Sequence, residues 1–568
     1  MKKIRIPVGE ENFELLRRKK SYYVDKTGFI EELLNEDFKV SLITRPRRFG
    51  KTLNMSMLEA FFDIRKNNRE IFEDLEIMKH EGLCAEWMNQ CPVLYISFKD
   101  AANDNFKDTY EQLELSLAGL CVEHAYLLDS DKADRDDKDR FARLKAGKAS
   151  EAELRNSLLI LTRMLYAHYG KPVVLLIDEY DVPLAKASEF GYYSKMLNVI
   201  RSIMSTSFKT NRFLQFAVVT GCLRIAKESI FTGVNNFKCN SIAGAHYLSS
   251  FGFTEMEVVQ MLKDTELTTH LPYVKQWYDG YRFGNYDIYC PWDVSNYVAD
   301  AFSEPEKAPG NYWKDTSHNN IIKQFVGRDS IEAGGKFETL LSGGSITAKL
   351  TEDSTYDFEN AKENDFWSIL YFTGYLTADR KVNCRDGETA LKIPNEEIKT
   401  IFGDTIVEWF RETIAIKAAE RSEMFTAWWE GDEKAVTDAV SIILNDVISY
   451  FDYKEDYYHA FVAGLFSGAG YLVTSNDENG IGRSDVVVKD RKARKVIIIE
   501  VKNCDSEKEM EKDCREALRQ IDLKSYASKY LNGYKTVQCY GAAFFQKRCL
   551  IRKVTVPGSG KGSIFEIE

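Results

Sequence analysis

Over residues 1 to about 300, short and largely apolar runs alternate with stretches of helical periodicity. Val40–Thr44, Val173–Ile177 and Phe213–Val219 have strand length and little polar alternation, the pattern of strands covered on both faces. Such runs separated by helices predict an α/β unit around a parallel sheet. Residues of about 301–447 read as mostly helical. Phe366–Thr377 (FWSILYFTGYLT) predicts a buried helix, followed by a hairpin through Asp386-Gly387 and a further helix from Asn395. Helix, hairpin and helix together fit a winged-helix module. From about residue 448 the pattern becomes helix, strand, strand, helix, strand, with Val486–Val488 and Val496–Ile499 as the apolar strands. The chain therefore reads as an α/β multidomain protein with segments 1–300, 301–447 and 448–568.

Composition narrows this. At 568 residues the chain is too long for one ordinary domain. Hydrophobic residues at 44% and charged residues at 29% exclude disordered, collagen-like and disulfide-stapled classes. No apolar run approaches the roughly 20 residues that span a bilayer, and Met1–Gly9 has neither an apolar core nor a cleavage site. The 11 cysteines are scattered singly, which points to reduced thiols and no structural zinc. The expectation is a cytoplasmic protein without membrane contact.

Residues 40–55 read VSLITRPRRFGKTLNM. A strand enters a turn, then Gly50-Lys51-Thr52, and a helix starts at about Leu53, the context of a phosphate-binding loop. The loop Arg45-Pro46-Arg47-Arg48-Phe49-Gly50 and the helix N-terminus would cradle the phosphates of ATP. Lys51 would reach the β- and γ-phosphates and the Thr52 hydroxyl would bind Mg²⁺. The pattern G-x-x-x-x-G-K-T places glycine where Arg45 stands. Anion binding then rests on the charge of Arg45, Arg47 and Arg48, and the tight-turn argument weakens. A basic loop at a strand end is the plainer alternative.

It loses ground at PVVLLIDEYDVP (172–183), about 125 residues on. An apolar strand ends in Asp178-Glu179, where Asp178 would hold Mg²⁺ through water and Glu179 would polarise the attacking water. After the third strand, Thr220 would sit beside the other strand ends as a γ-phosphate sensor. Arg224 could contact phosphate in cis or in trans. The plainer readings are a turn-capping hydroxyl and a surface arginine. Tyr23, Asp25 and Lys26 precede the first strand and could contact either adenine or the fold core.

The N-terminal half resembles the bacterial AAA-ATPase-like family through YYVDKTGFI (22–30), LITRPRRFGKTLNMSMLEAFF (42–62), VVLLIDEYDVPL (173–184), FGFTEMEV (251–258), WYDGYRFG (277–284) and IYCPWDVSNY (288–297). The resemblance implies an ATP-binding P-loop fold of the ASCE/AAA type, and in it arginine at position 45 is ordinary. The two aromatic–glycine stretches read as packing and turns in a lid or small subdomain.

Residues 482–503 read GRSDVVVKDRKARKVIIIEVKN. Asp485 opens one strand and Glu500-Val501-Lys502 closes the next. Alternation puts Glu500 and Lys502 on one face, and an antiparallel partner can bring Asp485 beside them. Asp485, Glu500 and the Val501 carbonyl could hold one or two Mg²⁺, or Mn²⁺ in its place. The metal would activate water and stabilise a phosphoryl transition state, with Lys502 orienting the water. This D…E-x-K pattern resembles the PD-(D/E)XK nuclease superfamily, which implies a restriction-endonuclease-like α/β domain. The resemblance adds Glu455 on the first helix and Gln520 on the helix after the core. His459 reads as structural rather than catalytic.

Together these predict an ATPase coupled to a metal-dependent nuclease. DNA is favoured over RNA, and the setting is genome defence, mobile elements or repair. A regulatory ATPase that grips nucleic acid without cleaving it, and an ATPase acting on proteins, remain the alternatives. A homo-oligomer follows if Arg224 acts in trans, and a closed monomer is equally compatible. The net charge of −11 disfavours a uniformly basic nucleic-acid coat. Residues 483–553, however, hold 18 Lys and Arg against 10 Asp and Glu. The basic turn Lys489–Lys495 is expected to lie beside the metal site.

Overall fold

The computed structural model describes residues 4–36, 38–225, 237–313, 334–352, 356, 362–385, 387–405, 422–447, 455–469, 471–479, 482–531 and 533–556. By internal packing the chain divides into two compact units, residues 1–318 with 343–400, and residues 319–342 with 401–568.

The first unit is built on five parallel strands, β1 (Val40–Thr44), β2 (Val93–Ser97), β3 (Val173–Asp178), β4 (Leu214–Gly221) and β5 (Phe237–Asn240), in the order β2-β3-β4-β1-β5. β1 and β3 are buried throughout. That is why their sequences lack alternation: helices cover both faces of a parallel sheet. On one face, Met57, Phe61 and Phe62 of helix Lys51–Phe62 pack with Val93, Val174, Leu176 and Val218. Because the strands are parallel, β1, β3 and β4 end at one edge, with Thr44 opposite Gly221. That edge is where ligands bind in open α/β sheets.

FGFTEMEV and the two aromatic–glycine stretches come together around a second, three-stranded sheet. Strands β6 (Phe253–Thr254), β7 (Tyr281–Phe283) and β8 (Tyr286–Tyr289) pair antiparallel in the order β6-β8-β7. Thr254 and Glu257 form a capping box at the start of helix Glu255–Asp264. Val258, Tyr278, Tyr289 and Tyr297 make the core.

The buried helix expected over Phe366–Thr377 spans Glu363–Phe372. It stops short because Gly374 turns left-handed (φ 91°) and Thr377 has already entered β10 (Thr377–Ala378). β10 pairs with β11 (Thr389–Lys392), giving the expected hairpin, with Asp386 outside the described residues. A third strand, β9 (Ile346–Ala348), joins β11. Residues 396–405 are helical.

In the second unit β12 (Leu472–Asn479), β13 (Gly482–Asp490), β14 (Lys495–Asn503), β15 (Thr536–Phe545) and β16 (Arg548–Val556) lie in sequence order. Only β14 and β15 run parallel. Helix Glu455–Gly468 covers the face of Val486, Val488, Ile497 and Ile499. Helix Met510–Leu523 covers Val487, Val496 and Ile498 on the other. Two-sided cover again explains unbroken apolar runs. β12 and β16 are the edge strands of this sheet, and their sequences carry polar residues through the run, so neither reads as a strand from its apolar pattern.

Among the described residues no helix is long and apolar enough to cross a membrane.

Candidate functional site

At the end of the parallel sheet, Gly50 is left-handed (φ 80°) and caps helix Lys51–Phe62. Lys51 is buried, with Nζ donating to the carbonyls of Arg45 (3.3 Å) and Pro46 (3.1 Å) and lying 3.5 Å from Glu179 Oε1. Burial pulls the Lys51 ammonium down, but Cys222, Glu179, Asp181 and Asp178 outweigh it and hold it above its ordinary value. Thr220 Oγ1 donates to Asp178 Oδ1. Burial, then the neighbouring Glu179, pushes the Asp178 carboxyl up to about 6. Its Oδ2 is buried with no hydrogen-bond partner, and the Thr52 hydroxyl adjoins the same carboxylate. An unpartnered buried oxygen beside a hydroxyl fits a hard divalent cation, which prefers oxygen ligands. Lys51, Thr52, Asp178, Glu179 and Thr220 therefore converge, although they come from three strand ends.

The arginines of the loop divide. Arg45 is expected from sequence to lend charge to the phosphate cradle, but its side chain points elsewhere. It is fully buried, and its guanidinium donates to the carbonyls of Thr44, Asn240, His246 and Tyr247 at 2.7–3.1 Å. Burial lowers it to about 10. Arg45 thus ties β1 to the loop after β5 and does not turn its charge toward Lys51. Arg47 is half-buried beside Cys222, Tyr356, Tyr375 and Glu179. Their combined field raises it above its ordinary value against the opposing effect of burial. Arg48 takes a left-handed backbone (φ 72°) and stacks on Trp292 at 4.1 Å, an attractive cation–π geometry. Phe49 is buried against Tyr281 and Phe283 at 5.0 and 5.2 Å between ring centroids. The WYDGYRFG and PWDVSNY stretches thus grip the back of the phosphate loop. Pro46 meets Gly374, where an added Cβ would come within 2.9 Å of the proline ring.

Arg224 Nη1 lies 3.8 Å from Glu352 Oε2 of the same unit. Tyr23, Asp25 and Lys26 serve the fold. Lys26 Nζ donates to both carboxylate oxygens of Glu257 at 2.7 Å, Asp25 caps Thr27 and Glu76, and Tyr23 lies against Met57.

Near Arg48 the fully buried carboxyls of Asp293 and Glu397 are neighbours, and both Asp293 oxygens and Glu397 Oε2 have no other hydrogen-bond partner. Glu397 Oε1 also accepts from the backbone of Tyr312 (2.6 Å) and Trp313 (2.9 Å). Burial, and then the neighbouring Asp293, push Glu397 far above the usual carboxylate range, so it keeps its proton at neutral pH. The unfolded chain has released that proton, so folding takes one up. Stability from this pair is full below the unfolded glutamate value and is lost as pH rises toward the folded one, by up to about 1.4 kcal/mol per pH unit. Glu397→Gln keeps the acceptor oxygen and supplies a permanent donor to Asp293. Thermal melts from pH 5 to 9 should show the wild-type midpoint falling and the variant's slope flattened.

In the second unit Glu500 is 1% exposed, and Gln520 Nε2 donates to its Oε1. The approach is set by Gly541, which pairs with Glu500 across β14 and β15. A Cβ there would stand 2.2 Å from the Cys514 carbonyl and 3.2 Å from Ala517 Cβ. The helix bearing Gln520 can lie this close only over glycine. Gly541→Ala should lift the helix and lower the thermal midpoint, at a cost of about 1–3 kcal/mol. Val486 pairs with Ile499, so the backbones of Asp485 and Glu500 each stand one residue beyond that pair on facing strands. Lys502 and Glu500 share a face of β14 with Val501 between them. Glu455 begins the helix on the opposite face and His459 lies within it. The side chains of Asp485 and Glu455 are outside the described residues. Among the described residues no cluster of three or more His, Cys, Asp or Glu could hold a metal ion. Buried Glu500, held by an amide, fits as one carboxylate of an oxygen-ligand set.

The Lys489–Lys495 turn is not beside this site. Pairing of Asp490 with Lys495 closes the hairpin there. Glu500 is five residues further along β14, roughly 16 Å away at strand spacing.

Tyr180, Asp181, Glu352 and Tyr356 also meet at the first site and are missed by reasoning from sequence. The repeated acid in Asp178-Glu179-Tyr180-Asp181 was the available signal for the first two.

Residues 7–231 match the family described as predicted AAA-ATPase, AAA-ATPase-like. Residues 453–554 match the PD-(D/E)XK nuclease superfamily. An uncharacterized protein in the vnfD 5′ region of Azotobacter chroococcum mcd 1 is 23% identical over 562 residues, covering 96% of this chain and 97% of its own length. No solved structure matches. The chain thus carries an AAA-ATPase-like domain at its N-terminal end and a PD-(D/E)XK nuclease superfamily domain at its C-terminal end.

Proposed function

We propose that the protein hydrolyses ATP at the Lys51–Asp178–Glu179 site and uses it to control metal-dependent cleavage of nucleic acid, DNA in the first instance, at the Glu500 site. A defence, mobile-element or repair role in the cytoplasm suits that pairing. What carries the reading is Glu500, a buried carboxylate held by Gln520, in a chain that also assembles Thr52, Asp178 and Thr220 at one strand edge. Apolar positions dominate both neighbouring faces, so a carboxylate sunk there has no structural use that a hydrophobic residue would not serve better.

At the first site Lys51 and the loop would bind the β- and γ-phosphates. Asp178 and Thr52 would hold Mg²⁺, which supplies charge neutralisation, and Glu179 would orient the attacking water. Arg224 can act within its own chain, so no ring or dimer is required. At the second site Asp485, Glu500 and the Val501 carbonyl would hold Mg²⁺ or Mn²⁺, whose contribution is a more acidic bound water. Lys502 would orient that water, and Gln520 would fix the Glu500 carboxylate. Glu455, at the start of the helix on the other face of the sheet, would be the further acid that the superfamily resemblance adds.

The test mixes the full chain with plasmid DNA, Mg²⁺ or Mn²⁺, and ATP present or absent. Nicking or linearisation that needs metal and responds to ATP is the expected result. Retarded but uncut plasmid in every combination would remove the nuclease claim and leave an ATP-driven nucleic-acid clamp.

A further inference from the structure

The two residues after Glu179 have no part in the reading above, yet both are buried at the same strand edge. Asp181 Oδ2 accepts from the backbone N–H groups of Cys222 (2.9 Å) and Leu223 (3.0 Å). Tyr180 Oη donates to the Leu223 carbonyl at 2.7 Å and accepts from Ile225 N at 3.1 Å. Residues 221–225 follow Thr220, which bonds Asp178, and carry Arg224 out of the end of β4. The conformation of this loop is therefore held by the side chains of Tyr180 and Asp181. The fit is tight: a Cβ on Gly221 would stand 2.6 Å from Asp181 Oδ1 and 2.7 Å from Tyr180 Cε1.

A third donor reaches the same carboxylate oxygen. Tyr356, also buried, donates its hydroxyl to Asp181 Oδ2 at 2.9 Å, and its own carbonyl accepts from Ser188 Oγ. Four residues earlier Glu352 accepts from Ser241 Oγ at 2.8 Å and faces Arg224. Glu352 and Tyr356 thus both bear on the loop, through Arg224 and through Asp181.

We propose that Tyr356 and Asp181 are positioning residues for ATP hydrolysis: Tyr356 orients the Asp181 carboxylate, and Asp181 sets the 221–225 loop so that Thr220 and Arg224 face the γ-phosphate. Three donors on one oxygen leave that carboxylate a single orientation, and charge-assisted bonds of this kind are about twice as strong as neutral ones. Tyr356 enters from the segment that follows β9, so this segment gains a direct hold on the rate of the chemical step. The inference rests on the ATPase reading and adds residues that do not touch the nucleotide.

ATP turnover by the full chain tests it, with Tyr356→Phe as the main variant because the ring and its packing stay. Loss of one hydrogen bond to a charged acceptor should lower kcat about 3- to 10-fold with KM for ATP unchanged. Asp181→Ala should lower it further, and the double variant should be no worse than Asp181→Ala, since both remove one chain of contacts. A Tyr356→Phe enzyme with wild-type kcat, or fully additive losses in the double variant, overturns the proposal. So does a drop in kcat that is matched by a raised KM and a lowered thermal midpoint, as a merely structural role would give. Absence of turnover in the wild-type chain, unchanged by Lys51→Ala, would instead sink the ATPase reading itself and this inference with it.

Discussion

Lys51→Ala should abolish ATP turnover, by roughly 100-fold or more in kcat/KM. Lys51 is the buried cation at the phosphate loop, and Cys222, Glu179, Asp181 and Asp178 keep it charged. Phosphoryl transfer is mainly charge stabilisation and positioning, so removing that cation removes most of the effect. The side chain also satisfies two loop carbonyls and faces Glu179. Its loss therefore leaves buried acceptors unmet and should lower the thermal midpoint as well. Glu179→Gln separates the two consequences. It keeps size and loop contacts, so ATP should still bind, as read by nucleotide fluorescence or calorimetry, while single-turnover hydrolysis fails. Turnover surviving both substitutions would show that the strand edge is not an ATPase site. The raised Asp178 carboxyl adds a pH signature. With its value at about 6, metal-dependent nucleotide binding should weaken as pH falls below that point, because the protonated acid is a poor ligand for a hard cation.

Glu500→Gln should remove metal-dependent cleavage by at least about two orders of magnitude, the scale of losing several kcal/mol of charge stabilisation. Nucleic-acid retention in a gel shift should persist. The amide is nearly isosteric, can keep contact with Gln520, and relieves a buried charge. The variant should therefore melt at or above the wild-type temperature. That combination distinguishes a metal ligand from a packing residue: a structural acid would lose stability along with activity. Lys51→Ala leaves this unit's residues untouched, so comparing cleavage in the two variants with and without ATP reads the coupling. Cleavage by Glu500→Gln at the wild-type rate would end the nuclease proposal.

Local sequence determined a good deal here. The apolar runs at Val40–Thr44 and Val173–Ile177 became buried parallel strands. Gly50-Lys51-Thr52 opened a helix, and Asp178-Glu179 ended a strand on the same edge. D…E-x-K fell on paired strands with Gln520 above Glu500. Those features follow from contacts between residues close in the chain, or from periodicities that burial on one face or two imposes. The orientation of charged and aromatic side chains did not. Arg45 read as a phosphate ligand and became a buried tie, because carbonyls of Asn240, His246 and Tyr247, about 200 residues away in sequence, accept from both of its terminal guanidinium nitrogens. The basic turn at Lys489–Lys495 read as part of the nuclease site and stands at the far end of its hairpin, since strand length, not sequence proximity, sets that separation. Trp292, Tyr281, Tyr356 and Glu397 lie more than 200 residues from the phosphate loop, and only folding brings them behind it. The sequence by itself placed the candidate motifs on their strands and helices. The tertiary structure alone decided which charges face a ligand and which are spent on holding the loops, because a buried charge turns toward whatever partners the fold places within hydrogen-bond reach.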